Sequence, residues 1–240
     1  MDPANFDRLP PRAQQLVREI EERLGNEIQV DLHQPVDGPS LCGEAELELV
    51  SHRGRATARI LHVAPECAVN VLAHEVLHAH RYVVLGIPYL QSNRYEWNLG
   101  SAGWASAIEE AVEHLFVIPS EIEMFPESAA TWQGKFDRAW IDAAQRPLDQ
   151  GERELVLQWM VADLTVPGWP GKELFAERLE QLGCGERARN LVAQFKGLGS
   201  DKMGLLLAVV LTLGLPQSAF RVTFDSWGPT SIGSMPASAR

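Results

Sequence analysis

Residues 69 to 84 read Val-Asn-Val-Leu-Ala-His-Glu-Val-Leu-His-Ala-His-Arg-Tyr-Val-Val and constrain this chain more than any other stretch. Val69, Val71, Leu72, Ala73, Val76, Leu77, Val83 and Val84 surround a polar trio, His74, Glu75 and His78. The pattern predicts a largely buried helix, on which residues four apart share a face. Polar side chains inside such a helix cost a few kcal/mol unless something satisfies them. A metal ion would satisfy all three. His74 and His78 can offer two neutral nitrogens to one ion, and Glu75 can reach a water held beside it. That is the donor set of a hydrolytic zinc site. His80, two residues beyond His78, points about 200° away and is expected at the surface or behind the ligands.

A catalytic zinc ion needs at least three protein ligands. A metzincin-type continuation would place a third histidine at position 84, which is Val84. Further along, Trp104-Ala-Ser-Ala-Ile-Glu-Glu-Ala-Val-Glu-His-Leu-Phe116 predicts a second helix, rich in acids and ending before Pro119. Ala105, Ile108, Val112, Leu115 and Phe116 form its inward face. Glu109 borders that face and is the expected third ligand. Glu110 is its rival. Glu113, one turn on, could orient a zinc histidine through its other ring nitrogen. His114 falls with Glu110 on the expected solvent side.

His74-Glu75-Val76-Leu77-His78 followed by this glutamate helix resembles the gluzincin metallopeptidases, over roughly residues 45 to 120. The segment Leu115-Phe-Val-Ile-Pro119 is similar to the end of the glutamate helix in regulatory peptidases that cleave repressors. The resemblance implies a zinc-dependent peptide-bond hydrolase acting on a peptide or protein substrate, with Zn2+ on His74, His78 and Glu109. Glu75 is then the general base. It also implies that a strand just before the zinc helix forms a sheet edge to which a substrate adds by backbone pairing. Ala56 to Val63 occupies that place, and His62 on it could face the cleft. Relatives supply an oxyanion donor from a His or Tyr beyond the glutamate helix, but none follows His114 here. Tyr95 and Tyr89 are the first choices instead, with Tyr82, His62 and His80 behind them. The alternative is a zinc-binding regulatory protein without turnover, whose helical half recruits a protein partner.

The rest of the chain sets the frame. Its 240 residues suffice for a large core, and the net charge of −11 disfavours nucleic acid as a partner. Cys42, Cys67 and Cys184 are scattered and lack metal-site spacing, which predicts reduced thiols. Met203 to Leu215 is apolar but only about 20 Å long as a helix, short of a bilayer core of about 30 Å. With no leader-like N-terminus, the expectation is a cytoplasmic protein without a membrane partner.

A helix is expected over 10 to 25, a strand over 27 to 32, a turn over 34 to 40, and a hairpin of strands 45 to 51 and 56 to 63. Residues 86 to 100 read as a long connection near the site. Helices follow over 128 to 144, 148 to 165, 172 to 182, 186 to 196 and from about 203, with Lys196 to Lys202 as a turn. Trp132, Trp140 and Trp159 fit their core faces. The predicted class is α+β: a small antiparallel or mixed sheet with the His74 helix and the Glu109 helix, then a mainly helical half. The expected division is a metallopeptidase-like domain over 1–125, a helical subdomain over 126–224 and a flexible tail over 225–240.

Overall fold

The computed structural model describes residues 1–32, 45–52, 55–62, 64, 66–93, 99–145, 151–166 and 168–223. The turn over 34 to 40, the hairpin link at 53 and 54, Cys42, Tyr95, Trp97 and the tail from 225 lie outside them. The chain is α+β and mostly helical, with two small sheets. It divides into two compact units, Met1–Ile87 and Pro88–Phe224. The helix carrying Glu109 buries Ile108, Val112 and Ile118 in the core of the second unit, which is why it belongs there.

In the first unit, a short helix α1 (Pro3–Arg8) begins where the Asp2 carboxylate accepts from the backbone N–H of Asn5 at 3.0 Å. Helix α2 (Pro11–Leu24) buries Ala13, Val17, Ile20 and Leu24, the face its sequence spacing marks. Gly25, at φ 68°, ends it in the left-handed conformation that only glycine adopts cheaply. Strand β1 (Gln29–Leu32) follows, then β2 (Ala45–His52) and β3 (Arg55–His62), and then the apolar helix α3 (Val69–Val83), which packs on α2 and β2.

The sheet order is β1-β3-β2, with β1 parallel and β2 antiparallel to β3. This corrects the expected edge. Residues 59 to 62 of β3 pair on both sides, so their backbone groups are already used and cannot accept a substrate strand. The strand before α3 is therefore central, and β1 and β2 are the edges. Ala56, Ala58, Ile60 and His62 alternate onto the buried face of β3. On the opposite face Arg59 reaches Asp31 of β1 at 3.0 Å and Glu48 of β2 at 3.5 Å, tying the three strands together.

The second unit opens with β4 (Tyr89–Ser92), a strand within the expected connection, paired antiparallel with β5 (Phe220–Thr223). Helix α4 (Leu99–Met124) runs through Pro119 instead of stopping before it. Proline removes one N–H donor from the helix. The helix continues because Val117 and Ile118 are fully buried, and the Ser120 hydroxyl donates to the Phe116 carbonyl at 3.1 Å. Helices α5 (Ser128–Gln145), α6 (Glu152–Thr165), α7 (Lys172–Gln181), α8 (Gly185–Leu198) and α9 (Lys202–Thr212) complete the unit. Its core joins Ile108 and Val112 to Trp132, Met160, Phe175, Leu191 and Leu206. Trp132 and Trp159 are buried and Trp140 packs against the same core, as the helical spacing predicts. No helix among the described residues is long and apolar enough to cross a membrane.

Candidate metal centre

Helix α3 is buried on most of its circumference, and His74, Glu75 and Leu77 lie inside with Leu72, Ala73 and Val76. The i, i+4 spacing brings His74 and His78 together as expected: their Nε2 atoms are 3.1 Å apart. A tetrahedral ion bound at about 2.0–2.1 Å holds two nitrogens about 3.3–3.4 Å apart. The imidazole pair is therefore within a few tenths of an ångström of what such an ion requires. The two rings meet edge to face, with centroids 4.7 Å apart. Tyr82, one turn further along, stacks on His78 at 6.5 Å. Glu75 is buried beside His74.

Two further histidines of the first unit, His80 and His62, are engaged elsewhere. His80 meets the Glu19 carboxylate of α2 at 2.8 Å. Glu19 is held below the usual carboxylate range, first by a hydrogen bond from Gln15 and then by His80. His62 donates from Nδ1 to the Ala64 carbonyl at 2.7 Å, which fixes its ring on the buried face of β3.

On α4 the expected roles change. Glu109 does face inward, but its carboxylate accepts from the Leu90 N–H of β4 at 2.7 Å and forms an ion pair with the Lys202 ammonium. Glu113 pairs with the same ammonium at 2.7 Å and is completely buried. The sequence reading correctly turned Glu109 inward but missed its partner, which lies 93 positions downstream. Glu110 is exposed.

His114, expected in solvent, is half-buried. It stands edge-on to Trp132 of α5, with ring centroids 5.2 Å apart. Trp132 is fixed in turn by its indole N–H, which donates to the buried Glu121 carboxylate at 2.9 Å. Lys135 lies 4.5 Å above the Trp132 ring. The helical wheel placed His114 outward because α4 carries apolar residues on more than one side. It could not show that α5 covers that flank.

His74 and His78, one turn apart on α3, bring two ring nitrogens to one place where a single metal ion could take both. Tyr89 sits half-buried on β4, while Tyr95 lies outside the described residues. No protein-family model matches the chain, and neither a curated protein nor a solved structure does.

Proposed function

We propose that this protein is a zinc-dependent hydrolase of peptide bonds, with His74 and His78 as ligands and Glu75 as general base. The observation that carries the reading is the His74–His78 nitrogen pair, 3.1 Å apart on a buried helix with a buried carboxylate next in sequence. Zinc binding alone would not require that carboxylate.

Zinc bound there would supply Lewis acidity and bring water within reach of ionisation near neutral pH. Glu75 would act as general base, accepting a proton from the attacking water as its oxygen bonds to the carbonyl carbon. The same carboxyl would then return the proton to the nitrogen as the C–N bond breaks. The oxyanion requires a further donor. His62 and His80 are held by Ala64 and Glu19, so Tyr82, Tyr89 and Tyr95 remain the side chains for that role.

The engagement of those two histidines, with no His or Tyr after His114, is also what favours the second reading: a zinc-binding regulatory protein that recruits a partner without turnover. Incubating the full chain with a mixed peptide library, with and without a chelator, separates the two. Cleavage that the chelator stops and zinc restores is expected. Tightly held stoichiometric zinc with no peptide cleaved would favour the regulatory reading.

A further inference from the structure

Helix α9 of the second unit carries apolar residues on all its sides. Its sequence, Lys202-Met-Gly-Leu-Leu-Leu-Ala-Val-Val-Leu-Thr212, contains a single charged residue. That residue is drawn inward: the Lys202 side chain is 2% exposed, and its ammonium meets Glu109 and Glu113 of α4. Leu205, Leu206, Val209 and Val210 join the core, where α9 packs on α4 and α8. Met203, Leu207 and Leu211 face the other way, at 41%, 48% and 53% exposure. A helix that is apolar all round is ordinarily covered all round. Large apolar side chains grouped on a surface mark a contact, whereas scattered ones do not.

The three outward residues are four apart and form one ridge along α9. Leu198, at the end of α8 and 36% exposed, adjoins it, since a Cβ on Gly204 would lie 3.1 Å from the Leu198 side chain. The ridge is symmetric about Leu207. A two-fold axis there sets Leu207 against its own copy, and Met203 of each copy against Leu211 of the other, which is the self-matching pattern of an isologous contact. Ridges of this i, i+4 kind interlock in the commonest class of helix–helix packing.

We propose that the Met203–Leu207–Leu211 face of α9 is the contact of a weak two-fold homodimer of this chain. Charge favours a second copy as the occupant. The chain carries a net charge of −11, so two copies repel over most of their surface, and a ridge with no charged side chain is where they can meet. Size sets the strength. Four side chains, each about half exposed, offer a few hundred Å², against about 800 Å² per partner in a standard interface. Such a pair forms reversibly and only at high concentration.

The test is sedimentation equilibrium of the full chain from about 10 μM to about 1 mM, the range in which a contact of this size dissociates, with thermal unfolding recorded in parallel. The average mass of the wild type should rise toward that of a dimer. Leu207→Glu sets two carboxylates together on the axis and should weaken association by at least about tenfold. Leu174→Glu, at an exposed position of α7, should associate as the wild type does. A mixture of Leu207→Glu with Leu207→Lys should pair again, which an effect on folding alone would not produce. A wild type that stays monomeric to about 1 mM, or a Leu207→Glu variant that associates as the wild type does, overturns the proposal. A monomer destabilised by Leu207→Glu would mean that its own chain covers the ridge. A monomer of unchanged stability would leave the ridge to a different protein, and either result overturns the dimer.

Discussion

Replacing Trp132 with Phe tests the second unit in a single change. The indole N–H of Trp132 donates to Glu121 at 2.9 Å, and both residues are buried, Glu121 to 3% exposure. A hydrogen bond to a charged group contributes about 1.5–3 kcal/mol. The apolar surface lost from indole to phenyl adds about 1 kcal/mol. Trp132→Phe should therefore destabilise the protein by about 2.5–4 kcal/mol. The assay is urea denaturation followed by fluorescence and circular dichroism, run as a cycle with Glu121→Gln. A coupling energy of about 1–3 kcal/mol is expected, since each residue loses the same partner. A destabilisation under about 0.5 kcal/mol, within the range of ordinary surface changes, would refute the account of how Trp132 is held.

His74→Ala and His78→Ala should each abolish stoichiometric zinc binding while Glu109→Gln, whose carboxylate is paired with Lys202, retains it, as measured by metal analysis after dialysis; loss of zinc from Glu109→Gln would restore the carboxylate as ligand. Pro119→Ala should stabilise by about 1–2 kcal/mol in denaturant titrations, since it returns an N–H to the interior of α4 and offsets part of the helical cost of proline. A destabilised Pro119→Ala variant would mean that the ring packs where we read it as merely tolerated. The Cys184 thiol is pushed up to about 11 by burial, with the nearby Glu152 charge adding to the effect. Its folded-state pKa lies above the unfolded value near 9, so its contribution to stability is complete below pH 9 and is lost as pH rises toward 11. Iodoacetamide at pH 8 should therefore leave Cys184 unmodified in the folded protein and label it on unfolding, by peptide mass analysis.

What could be read from the sequence was local. The spacing of Val17, Ile20 and Leu24 marks the buried face of α2, the short Gly-containing link between two strands marks the antiparallel β2–β3 pair, and the i, i+4 histidines mark their own proximity. The misreadings all involve partners distant in sequence. β3 is central because β1 joins its other side in parallel, and no turn signal encodes such a pairing. β4 went unseen because its partner β5 lies at the far end of the unit. Glu109 reads as a metal ligand because it borders the inward face of its helix, and the cation it meets, Lys202, lies in a stretch that reads as a turn. His114 was assigned to solvent because a helical wheel shows one helix and not Trp132 packed beside it.

The central claim is that Glu75 moves a proton beside a metal that His74 and His78 help to hold. The most direct measurement is metal content and peptide turnover on the same preparations of wild type and Glu75→Gln. The account predicts one zinc per chain in both, with turnover in the variant lower by about 10²–10⁴-fold. Equal turnover in the two proteins, or a wild type that hydrolyses peptides without bound metal, would contradict it.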